Sequence, residues 1–194
     1  MECALDLAAA IPHIQWMVGR AVKEAGDDTA LVDRARTGDR DAFGCLYGLY
    51  ARMVHGILMA RVPRMEVDDL VQDVFIQAMS RVASLRDSAA FGGWLATIAR
   101  NRAYDWHRQT TETAEIPEHL AGGSRPDQQT TAVLDAIREL PDAYRETLTL
   151  RLLEGMTGPE IAARTGLTPD SVRVNLHRGM KQLREKLGYE GARA

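Results

Sequence analysis

Residues 156 to 187 constrain the fold of this chain most, because their turn signals have the spacing of two helices joined by a tight turn. Thr157 stands three residues before Glu160, which is the spacing of a capping box. Gly166 supplies the positive φ that a sharp helix exit needs, and Thr168-Pro169 can start a second helix. The stretch therefore predicts a helix-turn-helix.

The second of these helices has two distinct faces. Apolar residues step by three or four along one face: Val172, Leu176, Met180, Leu183 and Leu187. Polar and basic residues, with one valine, occupy the other face: Ser171, Arg173, Val174, His177, Arg178 and Lys181. A DNA-binding helix-turn-helix uses such a face to reach base edges and phosphates, whereas an ordinary amphipathic hairpin leaves the same charges solvated. This stretch alone favours DNA binding but leaves both interpretations open.

The charge of the whole chain limits how it can bind DNA. The chain has 194 residues and a net charge of −3. Phosphate neutralisation supplies most of the affinity of proteins that bind DNA unaided, and this chain has no overall excess of positive charge. This net charge suits a protein that binds DNA together with a larger partner.

The cysteines and the N-terminus indicate the cellular compartment in which we expect the protein. Cys3 and Cys45 lie far apart without neighbouring ligand residues, so we expect reduced thiols and no disulfide framework, zinc site or other cofactor. No apolar run approaches the roughly 20 residues of a membrane span, and the acidic N-terminus does not look like a secretory signal. We therefore expect a cytoplasmic protein.

A helix predicted near residues 66–82 carries an acidic strip. Its apolar residues cover one broad face, and Asp69, Gln72 and Asp73 stand on the other with Ile76. Acids and an amide around one isoleucine are typical of a polar-rimmed docking surface. A solvated surface helix would explain the acids equally well.

A later helix, beginning near Phe91, combines basic and aromatic residues. Arg100, Asn101 and Arg108 are interleaved with Tyr104 and Trp106. This mixture suits single-stranded nucleic acid, whose bases stack on rings while arginine holds phosphate. The aromatic residues could instead be half-buried core residues, so binding is favoured here only because a helix-turn-helix follows.

Composition divides the chain into four parts. Residues 1–28 form an N-terminal extension with one short helix expected near Pro12, either an accessory or a regulatory element. Residues 29–108 are helical in pattern. Residues 109–129 lack apolar periodicity and carry the Thr, Gly, Pro and Gln of a linker. Residues 130–190 predict four helices that include the helix-turn-helix.

Four segments in this order together resemble one family of bacterial proteins. Residues 38–50 look like the start of its region 2, and residues 68–75 resemble the helix that it docks on RNA polymerase. Residues 91–108 are similar to its DNA-melting segment, and residues 140–183 to its region 4. The family is the extracytoplasmic-function (group 4) RNA polymerase sigma factors, and the match covers residues 29 to 188.

The resemblance implies an all-α fold of two small helical domains, region 2 and region 4, joined by a flexible linker. It also implies a transcription initiation factor rather than an enzyme, with core RNA polymerase and promoter DNA as partners and commonly an anti-sigma factor. Asp69, Gln72 and Asp73 would contact the polymerase. The loop at residues 83–90 would capture a base flipped out of the minus-10 duplex.

The resemblance further implies DNA contacts in both domains. The non-template strand of the minus-10 element would be held by Arg100, Asn101 and Arg108. The major groove of the minus-35 element would be faced by Ser171, Arg173, Val174, His177, Arg178 and Lys181. Three departures weaken single contacts: Gly92-Gly93 replaces residues that are often basic, and Asn175 and Met180 stand where the family often has arginine.

Two other functions remain compatible with the sequence. A stand-alone helix-turn-helix regulator would bind its promoter without polymerase. A sigma mimic would occupy an anti-sigma factor and never touch promoters, although Arg100, Asn101 and Arg173 argue against it. An enzyme is the weakest class, because the sequence contains no nucleophile-base pair, metal cluster or phosphate-binding loop.

Overall fold

The computed structural model describes residues 28–113 and 128–188, and within them every regular element is helical, as the sequence predicts. Two short 3₁₀ turns, Val82–Ser84 and Ser88–Ala90, precede the fourth helix. The short helix expected near Pro12 lies outside the described residues. The helices are α1 (Asp28–Arg36), α2 (Arg40–Met59), α3 (Arg64–Arg81), α4 (Phe91–Thr113), α5 (Gln128–Arg138), α6 (Asp142–Leu152), α7 (Gly158–Thr165) and α8 (Pro169–Lys186).

The helix-turn-helix forms through the local signals that predict it. The Thr157 side chain accepts from the backbone N–H of Glu160, whose carboxylate in turn accepts from the Thr157 N–H at 2.7 Å. Gly166 ends α7 with φ +74°, a conformation that other residues rarely adopt. Thr168 then accepts from the N–H of Ser171 and starts α8. The predicted capping box, glycine turn and second cap are all present.

The first four helices bury one apolar core. α2 supplies the centre of that core, including Leu46, Met53 and Ile57, and α1, α3 and α4 pack around it. α4 continues to Thr113, five residues into the segment that the sequence assigns to the linker. Residues 109–113 contain no Gly or Pro that would stop a helix. α5 also begins inside that segment, at Gln128.

In the second half, α8 lies very close to α6. A Cβ atom on Gly179 would lie 3.0 Å from the Tyr144 Cβ and 3.1 Å from the Leu148 Cδ1, so a side chain at this position would force its neighbours to shift. Leu148 and Leu183 share a small apolar cluster with residues of α5. This packing fixes which side of α8 points outward.

The two halves are packed against each other. Residues 146–150 of α6 are all buried, although five consecutive residues of a helix point in every direction around its axis. α6 is therefore covered by α8 on one side and by α2 on another. Leu150, Ile161 and Val172 belong to the same apolar core as α1 to α4. The sequence contains no local signal for this contact between distant segments.

Candidate nucleic-acid interface

The outward face of α8 is open and basic. Its six residues named from the sequence are all exposed, and Arg173, Val174, His177 and Arg178 line one shallow depression. Arg173 reaches Asp170 at 3.2 Å, but both side chains are about four-fifths exposed. Such a surface pair contributes little, so the Arg173 guanidinium can leave it for a DNA group. The six exposed residues are Ser171, Arg173, Val174, His177, Arg178 and Lys181.

The acidic strip of α3 is also exposed. Asp69, Gln72 and Asp73 lie outward, as the sequence predicts, and Ile76 is 63% exposed between them and the helix end. Two further exposed apolar residues, Met65 and Met79, extend the strip at its two ends. The sequence analysis missed them. Their spacing could have indicated them, because Met65 stands four residues before Asp69 and Met79 three residues after Ile76.

One acid of this strip has a partner within the chain. Arg102 of α4 donates to the Asp73 Oδ2 from Nε at 3.1 Å and from Nη2 at 2.6 Å. The Asp73 side chain remains about half exposed. α4 thereby orients one carboxylate of the strip without covering it.

The structure separates the three residues that the sequence groups on α4. Asn101 and Arg108 are exposed, and Arg108 pairs only with Asp105 at 3.5 Å, one turn away on the same helix. Tyr104 stands between them and is 70% exposed, which makes it the most exposed large apolar side chain of the described residues. The sequence names Tyr104 among the aromatic residues interleaved with these basic residues, and its spacing of three and four residues from Asn101 and Arg108 places the three side chains on one side of the helix.

Arg100 is engaged elsewhere. It donates to Glu146 of α6 from Nε at 3.0 Å and from Nη2 at 2.8 Å, and Arg61 of α2 donates to the same carboxylate at 2.7 Å. Burial by itself raises the pKa of the Glu146 carboxyl, but the hydrogen bonds and charges of Arg100 and Arg61 outweigh it and hold that pKa below its ordinary value. Glu146 is thus an ionised, buried carboxylate that sequence reasoning missed.

The loop before α4 is anchored at both ends. Val82 is buried at its start, and the Ser88 hydroxyl donates to the carboxylate of Asp33 on α1 at its end. Residues 83, 84, 86 and 87 between these anchors are exposed. The loop therefore presents a short open tip beside the start of α4.

The chain is similar to known proteins. Region 2 of sigma-70 matches residues 46–113, and region 4 of sigma-70 matches residues 130–183. The chain is 30% identical over 179 residues to the ECF RNA polymerase sigma-E factor of Haemophilus influenzae, an alignment that covers 82% of this chain and 95% of that relative. The chain belongs to the extracytoplasmic-function RNA polymerase sigma factors. Members of this family are promoter-specific transcription initiation factors, and the family is not one of enzymes.

Other relatives agree with this membership. The RNA polymerase sigma factor CarQ of Myxococcus xanthus is 32% identical over 166 residues, covering 81% of this chain and 95% of CarQ. Among solved structures, CnrH in complex with the cytosolic domain of CnrY has a TM-score of 0.59 at 24% identity, covering 84% of this chain and 99% of CnrH. That similarity supports the helical fold of this chain. Among the described residues of this chain, no helix is long and apolar enough to cross a membrane.

Proposed function

We propose that this sigma factor binds core RNA polymerase through α3, opens the minus-10 element along α4 and reads the minus-35 element with α8. The observation that carries the proposal is the outward face of α8, whose five polar or basic residues and Val174 are all exposed, while Val172, Gly179 and Leu183 hold the opposite side in the core. A helix of this kind fits the major groove, which is about 12 Å wide.

At the minus-35 element, each residue type has a matching chemistry. Arg173 and Arg178 suit guanine or phosphate, and Val174 suits a thymine methyl group. Ser171 and His177 can exchange hydrogen bonds with base edges, and Lys181, further along α8, lies where basic residues contact phosphate.

At the minus-10 element, α4 and the loop before it act together. The exposed tip at residues 83–87 receives the flipped base, and Asn101 and Arg108 hold the non-template strand. Tyr104, exposed between them, stacks on an adjacent base. Arg100 joins this surface once its bond to Glu146 is broken.

The polymerase-binding surface is the strip formed by Asp69, Gln72 and Asp73 with Ile76. Acidic groups on such a strip complement a basic partner and speed its association, while the isoleucine supplies apolar contact area. Because RNA polymerase and the chromosome of a bacterium share the cytoplasm, we place the protein there. We also propose an anti-sigma factor as a partner: the structurally similar CnrH is held in a complex with the cytosolic domain of CnrY.

Run-off transcription with purified core polymerase and a library of promoters tests this function. We expect initiation only when both the protein and the core enzyme are present. A stand-alone regulator would instead bind duplex promoters tightly without polymerase. A sigma mimic would neither initiate transcription nor bind promoters. Absence of initiation on every promoter, with tight binding to duplex DNA by the protein alone, would overturn the proposal.

The same promoter library gives a finer test of α8. Arg173→Ala is expected to change the preference among minus-35 sequences by about 1–3 kcal/mol at the base pair that Arg173 reads. Lys181→Ala is the matched control, because loss of a phosphate contact weakens all promoters to a similar extent. An unchanged ranking of promoters with Arg173→Ala would remove that residue from base recognition.

A further inference from the structure

We propose that α1 positions the loop before α4 for base recognition, with Asp33 as the positioning residue and Ser88 as its bonding partner in the loop. Asp33 acts through the Ser88 hydroxyl and not through a DNA contact of its own. The inference rests on the proposed function of the loop, which receives a base flipped out of the minus-10 element. The bond between α1 and the loop involves neither DNA nor polymerase.

α1 is held firmly enough to support the loop. Val32 is fully buried and Ala35 is 5% exposed, and both belong to the core around α2. Asp33 and Arg36 directly follow these two residues in the chain, and their spacing of three residues places them on one side of the helix. α1 contacts both 3₁₀ turns of the loop, although Asp33 and Ser88 are 55 residues apart.

Asp33, Arg36 and Ser88 form a closed set of hydrogen bonds at this contact. The Ser88 hydroxyl donates to the Asp33 Oδ1 at 2.5 Å, and the Arg36 Nη1 donates to the same oxygen at 3.2 Å and to the Ser88 Oγ at 3.4 Å. Asp33 remains partly open to water, but Ser88 is only 9% exposed. A buried hydroxyl that loses its acceptor has few other partners, so this set favours one position for the end of the loop.

Hydrogen bonds within the loop extend this fixed position to its exposed tip. Asp87 caps the second 3₁₀ turn by accepting from the N–H of Ala89 at 3.0 Å. At the other turn the N–H of Leu85 donates to the Val82 carbonyl oxygen at 3.1 Å, and Leu85 packs against the core. Arg86 and Asp87 are the exposed residues between these two held points, so the tip has little freedom of its own.

A fixed loop matters because a flipped base is recognised through its shape and the hydrogen bonds of its edge. Phosphate contacts set the position of a protein on DNA without distinguishing bases, whereas base contacts need groups that are held in place. Freeing the loop should therefore lower the discrimination between bases more than the use of promoters in general. A merely structural role of Asp33 would instead weaken all promoters alike.

Three substitutions break or keep the bond between Asp33 and Ser88. Asp33→Ala removes the acceptor and Ser88→Ala removes the donor, while Asp33→Asn keeps an acceptor oxygen. Because the two groups act through one bond, the double alanine variant should show no larger effect than either single variant. Arg34→Ala is the matched control, since it also removes a charged side chain of α1, one that pairs with Asp39 at 2.6 Å outside the loop.

Hydrogen–deuterium exchange of the full chain measures the bond without DNA. N–H groups within residues 82–90 donate hydrogen bonds inside the loop, which slows their exchange. We expect this segment to exchange about fivefold or more faster in Asp33→Ala and Ser88→Ala than in wild type. Asp33→Asn and Arg34→Ala should exchange like wild type, and circular dichroism checks that each variant is folded. Unchanged exchange in both alanine variants would overturn the proposal.

Transcription by core polymerase with each variant measures base recognition. The templates derive from one promoter that wild type uses, and they carry each of the four bases in turn at every minus-10 position. Wild type is expected to prefer one base by roughly fivefold or more at the position that the loop reads. This preference should fall close to one in Asp33→Ala and Ser88→Ala and be retained in Asp33→Asn and Arg34→Ala. The ranking of minus-35 sequences should stay the same in all of them.

The two measurements separate the ways in which the proposal can fail. Faster exchange with an unchanged base preference would overturn the role of the loop in base recognition, and with it the positioning role of Asp33, while initiation would still support the sigma function. An equal loss at every template would show that Asp33 supports only the fold. Absence of initiation by wild type on any promoter would overturn the proposed function itself.

Discussion

At the scale of single residues, Glu146 shows how one buried charge can decide a conformation. Removing a carboxylate from water is costly, and the two arginines repay that cost only while both halves are together. Arg100 is about one-third exposed and can exchange this partner for another anion, whereas Arg61 is 13% exposed. The Glu146 site is therefore stable while the two halves are packed together, and Arg100 can still leave it.

Tyr104 carries a prediction at the same scale. Its ring is 70% exposed on α4, between the exposed Asn101 and Arg108. Stacking of a base on an aromatic ring contributes about 1–3 kcal/mol, so Tyr104→Ala should slow promoter opening about fivefold or more. Opening is measured by permanganate reactivity of unpaired thymines in the complex with polymerase.

The control for Tyr104 keeps the ring. Tyr104→Phe retains the stacking face and loses only the hydroxyl, so we expect opening close to that of wild type. If Tyr104→Phe opened promoters as slowly as Tyr104→Ala, the hydroxyl and not the ring would be the important group. Equal opening by all three proteins would exclude Tyr104 from the site.

At the scale of elements, α3 presents a strip whose charge can be inverted without touching the core. Asp73→Arg should weaken binding to core polymerase about tenfold, because a like charge would then face a basic partner. Arg102→Ala is the essential control, since it breaks the Arg102–Asp73 pair but keeps the acid. Fluorescence anisotropy of the labelled protein titrated with core enzyme measures both affinities.

The outcome of the α3 experiment distinguishes two roles for Asp73. If Arg102→Ala weakened binding as much as Asp73→Arg, the ion pair would position α4 and the acid itself would not be a docking residue. Asp41→Arg makes the same charge change at an exposed position of α2 that is not part of the strip, and it is expected to bind like wild type. Equal affinities for Asp73→Arg and Asp41→Arg would remove Asp73 from the docking surface.

The elements also show what could be predicted from sequence. Thr157, Gly166 and Thr168 act on residues at most four positions away, so their spacing alone determined the two caps and the turn. Glu146 stands in a helix that looked ordinarily amphipathic, and its partners are 85 and 46 residues away. Gly92, where a Cβ atom would overlap the carbonyl oxygen of Arg164, was interpreted only as a missing basic residue. No local pattern encodes a contact that depends on the packing of two distant surfaces.

At the scale of the whole molecule, the packing of the two halves should depend on pH through His55 of α2, whose Nδ1 lies 2.7 Å from the Glu154 Oε1 of the second half. Burial alone lowers the pKa of His55, but the hydrogen bond and charge of Glu154, helped by Asp68 and opposed by Arg64, raise that pKa above its ordinary value of 6.5. Because Glu154 belongs to the second half, its part of this stabilisation of the charged imidazole exists only when the halves are docked. The contribution of charged His55 to the stability of the folded protein is fully present below about pH 6.5, and it is lost as the pH rises through the raised pKa of His55 in the folded state.

Thermal unfolding between pH 6 and pH 8.5 measures this dependence. We expect the midpoint of wild type to fall as the pH rises, and the midpoint of His55→Gln to change much less over the same interval, because glutamine does not titrate. His177→Gln, on the exposed face of α8, should retain the slope of wild type. Energy transfer between a dye on the exposed Cys45 of α2 and a second dye on Arg184→Cys of α8 should decline over the same pH range if His55 acts on the docking of the halves. If the unfolding midpoint of His55→Gln fell with pH as steeply as that of wild type, a group other than His55 would cause the pH dependence.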